Sequence, residues 1–378
     1  MTKNHTFKKA ILTFWLLIAF FSANSQNKRA IHREVCVMPS DVKESSGMVI
    51  ASPNSIWTHG DSGNENKIFK VDSNGALLRT ITIANTPNID WEDMAIDENG
   101  DLWICDGGNN NNTRKDLKII KIANPELHDS SSVHAQFVFY SFPDQTAFPP
   151  PSSKRNFDVE ALIRYKDSLL LFTKDRSSPI SGFTKLYKLP IVPGTYMAEL
   201  LDSFYLGNSN QLARVTAADM EVSTGRIALL TLSQIVVFSN YQGSDFFGGD
   251  VDFYLFKNPT NQVEALAFID SNKFYMTDEV PGALYEVILE NASNSSSVSN
   301  VNSNKFRVYY ESSQSILTIF GVGLTKFKCT ILDSQSKKVY SQNHNGIKIE
   351  IPLKLSEGVY YIRFEKDGLI WTEKLLVI

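Results

Sequence analysis

Cysteine is scarce in this chain of 378 residues. Cys36, Cys105 and Cys329 are too few and too far apart for a disulfide framework, and no C-x-x-C pair offers metal-type spacing. Each falls in an apolar strand pattern and reads as a buried free thiol, so stability is left to the hydrophobic core. Positive charge is also in deficit: 37 Lys and Arg against 41 Asp and Glu give a net charge of −4. Removing the first 25 residues, which carry Lys3, Lys8 and Lys9 and no acid, would bring it to about −7. That balance argues against nucleic acid and anionic lipid as partners. Beyond residue 25 no run is long and apolar enough to cross a membrane, and no helical period persists for ten residues.

What is present begins with Lys8 and Lys9, followed by the 12-residue apolar run AILTFWLLIAFF and the small-residue stretch Ser22-Ala23-Asn24-Ser25-Gln26. The pattern predicts an export signal over 1–25, since the run is well short of the roughly 20 residues that span a bilayer. The mature protein is expected outside the cytoplasm, with no transmembrane segment.

The rest is punctuated by strand patterns of four to eight residues separated by turn clusters such as Asp72-Ser-Asn-Gly75 and Asp97-Glu-Asn-Gly-Asp101. Five times an acidic residue opens a short apolar strand: Glu44, Glu92, Glu160, Asp219 and Glu264, at spacings of 48, 68, 59 and 45 residues. A long-period repeat of short strands predicts propeller blades, five by this count, with six as the alternative if a cryptic blade lies between Glu92 and Asp219. The last copy lacks a fourth strand, and an orphan strand at His32 to Met38 precedes the first, so the N-terminal strand is expected to close the ring as the outer edge of the last blade. The propeller is placed at 31–290. Residues 291–304, NASNSSSVSNVNSN, read as a flexible linker. From 305 to 378, short strands recur in the manner of a small immunoglobulin-like sandwich. The fold class is therefore all-β, a propeller followed by a sandwich.

The C-terminal run Gly358-Val-Tyr-Tyr-Ile-Arg-Phe-Glu-Lys-Asp-Gly368, followed by Trp371-Thr-Glu-Lys-Leu-Leu-Val-Ile378, resembles the C-terminal sorting domain of type IX secretion cargo in Bacteroidetes. The resemblance covers about a fifth of the chain. It implies the type IX secretion machinery as a partner and a secreted or outer-membrane surface location.

If each repeat starts the innermost strand of its blade, its acid sits at one mouth of the channel. The candidate metal ligands are then Glu44, Glu92, Asp93, Glu160, Asp219 and Glu264, and the loops carrying His59, Asp61, Asp106, Asn109, Arg114, Lys174, Arg176 and Asp278 ring the same mouth as candidate ligand-binding residues. Converging carboxylates repel unless a cation or shared protons compensate them. Oxygen ligands without Cys or paired His favour calcium over zinc. The competing reading makes each acid a staple that accepts hydrogen bonds from backbone amides of neighbouring blades. Trp57, Trp91 and Trp103 are candidates for stacking on a sugar, with the core as the competing place. No G-x-S-x-G turn accompanies His59 and Asp61.

The segments Trp57-Thr-His-Gly-Asp-Ser-Gly-Asn64, Asn88-Ile-Asp-Trp-Glu-Asp-Met-Ala95, Asp106-Gly-Gly-Asn-Asn110 with Arg114, Glu160-Ala-Leu162, Val215-Thr-Ala-Ala-Asp219 and Glu264-Ala-Leu-Ala267 together resemble exported bacterial propellers of the SdiA-regulated and phytase-like type. Where that pattern shows D-x-G-D-N, this chain carries Asn109 in the second acidic place. The resemblance implies a propeller over about 47 to 290 and phytase-like phosphoester hydrolysis as one activity. The expected function is a secreted or cell-surface propeller that binds a small molecule or glycan at an acidic, calcium-accepting mouth. The alternatives are a calcium-dependent phosphoesterase, with Arg114, Lys174 or Arg176 holding phosphate, and a surface scaffold or adhesin.

Overall fold

The computed structural model describes residues 28–42, 44–290, 306–311, 315–321, 326–345, 348–366 and 369–377. The export signal expected over 1–25 and the linker expected over 291–304 lie outside the described residues. Among the described residues no helix is long and apolar enough to cross a membrane.

The protein is an all-β propeller with a second, C-terminal pair of sheets. Each repeat folds as an antiparallel up-and-down sheet whose first strand is innermost. The inner strands are Ser45–Ser52, Trp91–Ile96, Asp158–Tyr165, Val215–Glu221 and Val263–Asp270. Each packs on the next in this order, and Val263–Asp270 packs back on Ser45–Ser52, which closes the ring among the described residues.

Burial explains why the middle strands read as unbroken apolar runs. A sheet sandwiched between two neighbours has no wet face, so period-2 alternation is lost. Ser168–Lys174 and Leu102–Asp106 are buried at every position. The core is accordingly divided among the interfaces. Trp57, Ile81, Leu102 and Ile120 fill the first junction, and Trp103, Tyr140, Leu171 and Tyr187 the second. Phe172, Phe204, Leu229 and Phe238 fill the third; Leu230, Ile235, Leu266 and Phe274 the fourth. Met48, Ile56, Ala265 and Leu284 seal the last repeat against the first. Each large side chain so buried contributes about 1.5–3 kcal/mol.

Exposed sheet edges are covered by strands borrowed from elsewhere in the chain. Ser132–Val133 pairs parallel on the outer strand Leu77–Ile83, and Gly194–Met197 pairs parallel on Gln136–Ser141. The N-terminal strand Arg29–Val37 pairs antiparallel with Ala283–Glu290, the outer strand of the last repeat, and its first residues also pair parallel with Asp250–Phe256. It thereby supplies the missing fourth strand of the last repeat. Helical structure among the described residues of the ring is limited to Asn210–Ala213 and two 3-10 turns, Pro125–Leu127 and Ser152–Lys154.

In the C-terminal part, Phe306–Glu311, Ile316–Gly321 and Lys348–Pro352 form one antiparallel sheet, and Lys338–His344, Phe327–Asp333, Gly358–Lys366 and Leu369–Val377 form another. Leu317, Ile319 and Ile351 from the first share a core with Cys329, Ile331, Ile362 and Phe364 from the second, as in a two-sheet sandwich.

Candidate functional site

Every inner strand begins with a β-bulge. Pairing with the second strand skips Ser46, Glu92 with Asp93, Glu160, Thr216 and Glu264. A bulge inserts a residue that the ladder does not use and re-aims its side chain. These equivalent positions form one tier at the mouth, all buried: Ser46, Glu92, Glu160, Thr216 and Glu264 are 1–6% exposed. Two residues earlier, Glu44, Asp90, Asp158, Arg214 and Gln262 make a second tier. Glu44 therefore belongs to the upper tier, and it is exposed. Asp219 lies three residues past the bulge of its strand. The fourth repeat gives neither tier an acid, so the negative charge is concentrated on the other four.

Two groups of carboxylates converge. Oxygens of Asp61, Asp90 and Glu92 lie within 4.8 Å of one another, as do oxygens of Glu92, Asp158 and Glu160, so either group has the geometry to hold a metal ion. Glu92 is common to both. The residue is 5% exposed, and its carboxylate, among the described residues, receives no hydrogen bond and no ion pair. Burial, and then the charges of Glu160, Asp61 and Asp158, hold its pKa well above the ordinary value. Burial also raises Asp61 and Asp90, each reinforced by neighbouring acids. Gly108 gives this pair its room: a Cβ there would overlap Glu92 Oε1 and the Asp90 carboxyl.

The inner side of the mouth carries its own counter-charge. Lys174, which ends the second strand of the third repeat, places Nζ 2.8 Å from Glu160 Oε2 and 3.7 Å from Glu264 Oε2, bridging two repeats. Arg176 donates from Nη2 to Glu160 Oε1 at 2.8 Å and from Nε to Asp158 Oδ2. Burial opposes the charge on Lys174, but Glu160 and Glu264 outweigh it and hold its pKa above the usual lysine value. Glu264 is itself pushed up to about 8, by burial first, with Lys174 pulling the other way.

Other acids serve as staples. Asp93, fully buried, accepts from Met94 N through Oδ1 and from Leu162 N and Ala218 N through Oδ2, joining three inner strands. Small residues, Gly47, Ala161, Ala217 and Ala265, stand at its equivalent positions and leave it space. Asp219 accepts from Met220 N and Phe268 N, both at 2.7 Å, and ties the fourth repeat to the fifth. Asp278 caps its own entry loop through Asn261 N and Gln262 N. Asp106 takes Lys118 Nζ and Arg114 Nη2. Asn109 accepts from Thr113 N and Arg114 N and donates to Phe157 O, holding its loop closed.

Glu44, Asp61, Ser62, Gln262, Glu279 and Val280 line a cavity of about 420 Å³ between the first and last repeats. Glu44 accepts from Asn64 Nδ2 there. Trp57, Trp91 and Trp103 are fully buried in the inter-repeat core, with no ring face open to a sugar. His59 is buried edge-on to Trp91 at 5.6 Å, and burial lowers its pKa to about 4, so it stays neutral at ordinary pH.

Sequence reasoning passed over Asp90, Asp158 and Gly108 as site residues. The signal for the first two was present as D-x-E in Asp90-Trp91-Glu92 and Asp158-Val159-Glu160.

No family model matches the chain, and no curated protein matches it. Among solved structures, the PQQ-bound aldose sugar dehydrogenase of Streptomyces coelicolor is similar over 69% of this chain and 99% of its own, at 10% identity and a TM-score of 0.43. A protein described as a putative gluconolactonase is similar over 69% and 92%, at 12% identity and 0.38. PorZ, a surface component of the type IX secretion system of Porphyromonas gingivalis, is similar over 88% of this chain but 45% of its own, at 11% identity and 0.32. At these values the likenesses carry no argument about activity, and the propeller assignment rests on the ring of strand packing described above.

Proposed function

We propose that the protein is an exported propeller that binds a divalent cation, calcium by its donor chemistry, on Asp61, Asp90 and Glu92, and presents that ion to a ligand at the mouth. The observation that carries this reading is Glu92, a buried residue whose carboxylate stands among four other acids and, among the described residues, takes no hydrogen bond and no ion pair. Leaving a charge so placed is costly, and a bound cation removes the cost. The donors are oxygens alone, which excludes the sulfur and imidazole sets that select zinc. They come from two different repeats, a loose arrangement that suits calcium better than the strict octahedron of magnesium.

Calorimetric titration of the chain lacking residues 1–25 with calcium tests the reading. Saturable binding that Glu92→Gln abolishes is the expected result; no heat and no change in melting temperature would end it. Arg114, Lys174 and Arg176 already carry carboxylates, so no cation there stands free to receive phosphate, and we favour binding over phosphoester hydrolysis. In the same reading residues 305–378 serve as the type IX sorting domain and the protein is released or displayed at the outer surface. Deleting them in a bacterium with that system is expected to trap the propeller in the periplasm; undiminished export would refute the assignment.

A further inference from the structure

We infer that Lys174 and Arg176 are tethered counter-ions that close the inner carboxylate group of Glu92, Asp158 and Glu160, so that the mouth takes one divalent ion and not two. The inference rests on the cation site proposed above and concerns how many ions that site admits. By the proximity of their oxygens the two acidic groups are equivalent, each within 4.8 Å and each including Glu92. By their partners they differ. All four carboxylate oxygens of Asp158 and Glu160 are engaged. Glu160 Oε2 receives Lys174 Nζ at 2.8 Å and Oε1 receives Arg176 Nη2 at 2.8 Å. Asp158 Oδ2 receives Arg176 Nε, and Oδ1 receives the backbone N–H of Asn109. Around Asp61, Asp90 and Glu92, by contrast, no Lys or Arg among the described residues comes within ion-pair reach.

Both cations come from the end of one strand, Ser168–Lys174, and the residue two beyond it. A single element thus delivers two positive charges to where a second metal ion would bring them. Lys174 reaches Glu264 as well, at 3.7 Å, and so bars the mouth from the third repeat to the fifth. A divalent ion can enter the inner group only by displacing ammonium and guanidinium groups that cannot diffuse away, whereas at Asp61, Asp90 and Glu92, where Asp61 Oδ1 accepts from Ser62 N, no ammonium or guanidinium has to move.

The test counts bound calcium in the chain lacking residues 1–25 by equilibrium dialysis, for the wild type and for Lys174→Gln/Arg176→Gln, with circular dichroism to verify folding. One ion in the wild type and two in the double variant, falling back to one when Glu160→Gln is added, is the expected result. Two ions in the wild type, or one in a folded double variant, would overturn the inference. No ion in the wild type but one in the double variant would uphold the counter-ion role and sink the proposed outer site; none in either would sink both. If the double variant does not fold, Arg176→Gln alone frees one oxygen each of Asp158 and Glu160. That variant is expected to gain a weaker second step, and its absence overturns the inference.

Discussion

Replacing Glu92 by Gln keeps the shape of the side chain and deletes the charge on which both acidic groups converge. At an effective dielectric of about 20, two carboxylates with oxygens 4.8 Å apart repel by about 3 kcal/mol, and Glu92 has four such neighbours. In the metal-free protein burial, and then this repulsion, raise the Glu92 pKa, so the uncharged Gln is expected to hold or raise the melting temperature there. Calcium reverses the comparison. At a hundred times its dissociation constant a ligand stabilises the native state by about 2.7 kcal/mol, worth about 5–10 °C for a domain of this size. The wild type is expected to show that shift in calcium over chelator, by differential scanning calorimetry, and Glu92→Gln to show none. A variant that keeps the full shift would refute the assignment of Glu92, and a wild type without one would refute the site.

Gly108→Ala places a methyl group against the carboxyls of Asp90 and Glu92 while leaving the fold intact, since those side-chain ends can move. Calcium affinity by calorimetry should fall tenfold or more, and unchanged affinity would remove Asp90 and Glu92 from the site. Asp93→Ala strands the buried N–H groups of Leu162 and Ala218, at about 1–3 kcal/mol each. Urea denaturation should show a loss of about 3 kcal/mol or more, with Asp93→Asn intermediate; a loss under 1 kcal/mol would mean Asp93 is no staple. His59, buried neutral with its pKa lowered to about 4 from 6.5, gives stability that is present above pH 6.5 and lost as pH falls toward 4, by about 3 kcal/mol. His59→Gln should therefore lose less stability than the wild type over that range, and parallel profiles would refute the burial argument.

Much of the fold was legible because the repeats are buried on both faces, which turns strands such as Ser168–Lys174 into solid apolar runs. The closing strand was legible for a topological reason: Ala283–Glu290 had no successor to cover it, and an unassigned strand stood at the other end. The edge-covering segments Ser132–Val133 and Gly194–Met197 were not, because they pair parallel outside their own repeats and no local pattern marks them.

The site was legible in its ingredients and not in its phase. Taking the acid nearest each apolar run as equivalent put Glu44 and Asp219 in register with Glu92, Glu160 and Glu264. The bulges spoil that register, since the extra residue breaks the two-residue period by which side-chain direction is read. Once the skipped residues are aligned, Ser46 and Thr216 take the equivalent places, and Asp90 and Asp158 appear beside Glu44. The rim positions of Lys174 and Arg176 followed from repeat position, but which carboxylates they hold depends on separations that sequence spacing does not fix.

The clasp made by the first strand has a consequence for engineering. Arg29 lies opposite Glu290, so the two ends of the ring meet in adjacent backbone. A short peptide joining them, with new termini cut in the exposed turn at Val222–Thr224, should yield a circular permutant that keeps every inter-repeat seam. The seam between Arg29–Val37 and Ala283–Glu290 would then change from a meeting of chain ends into a continuous hairpin.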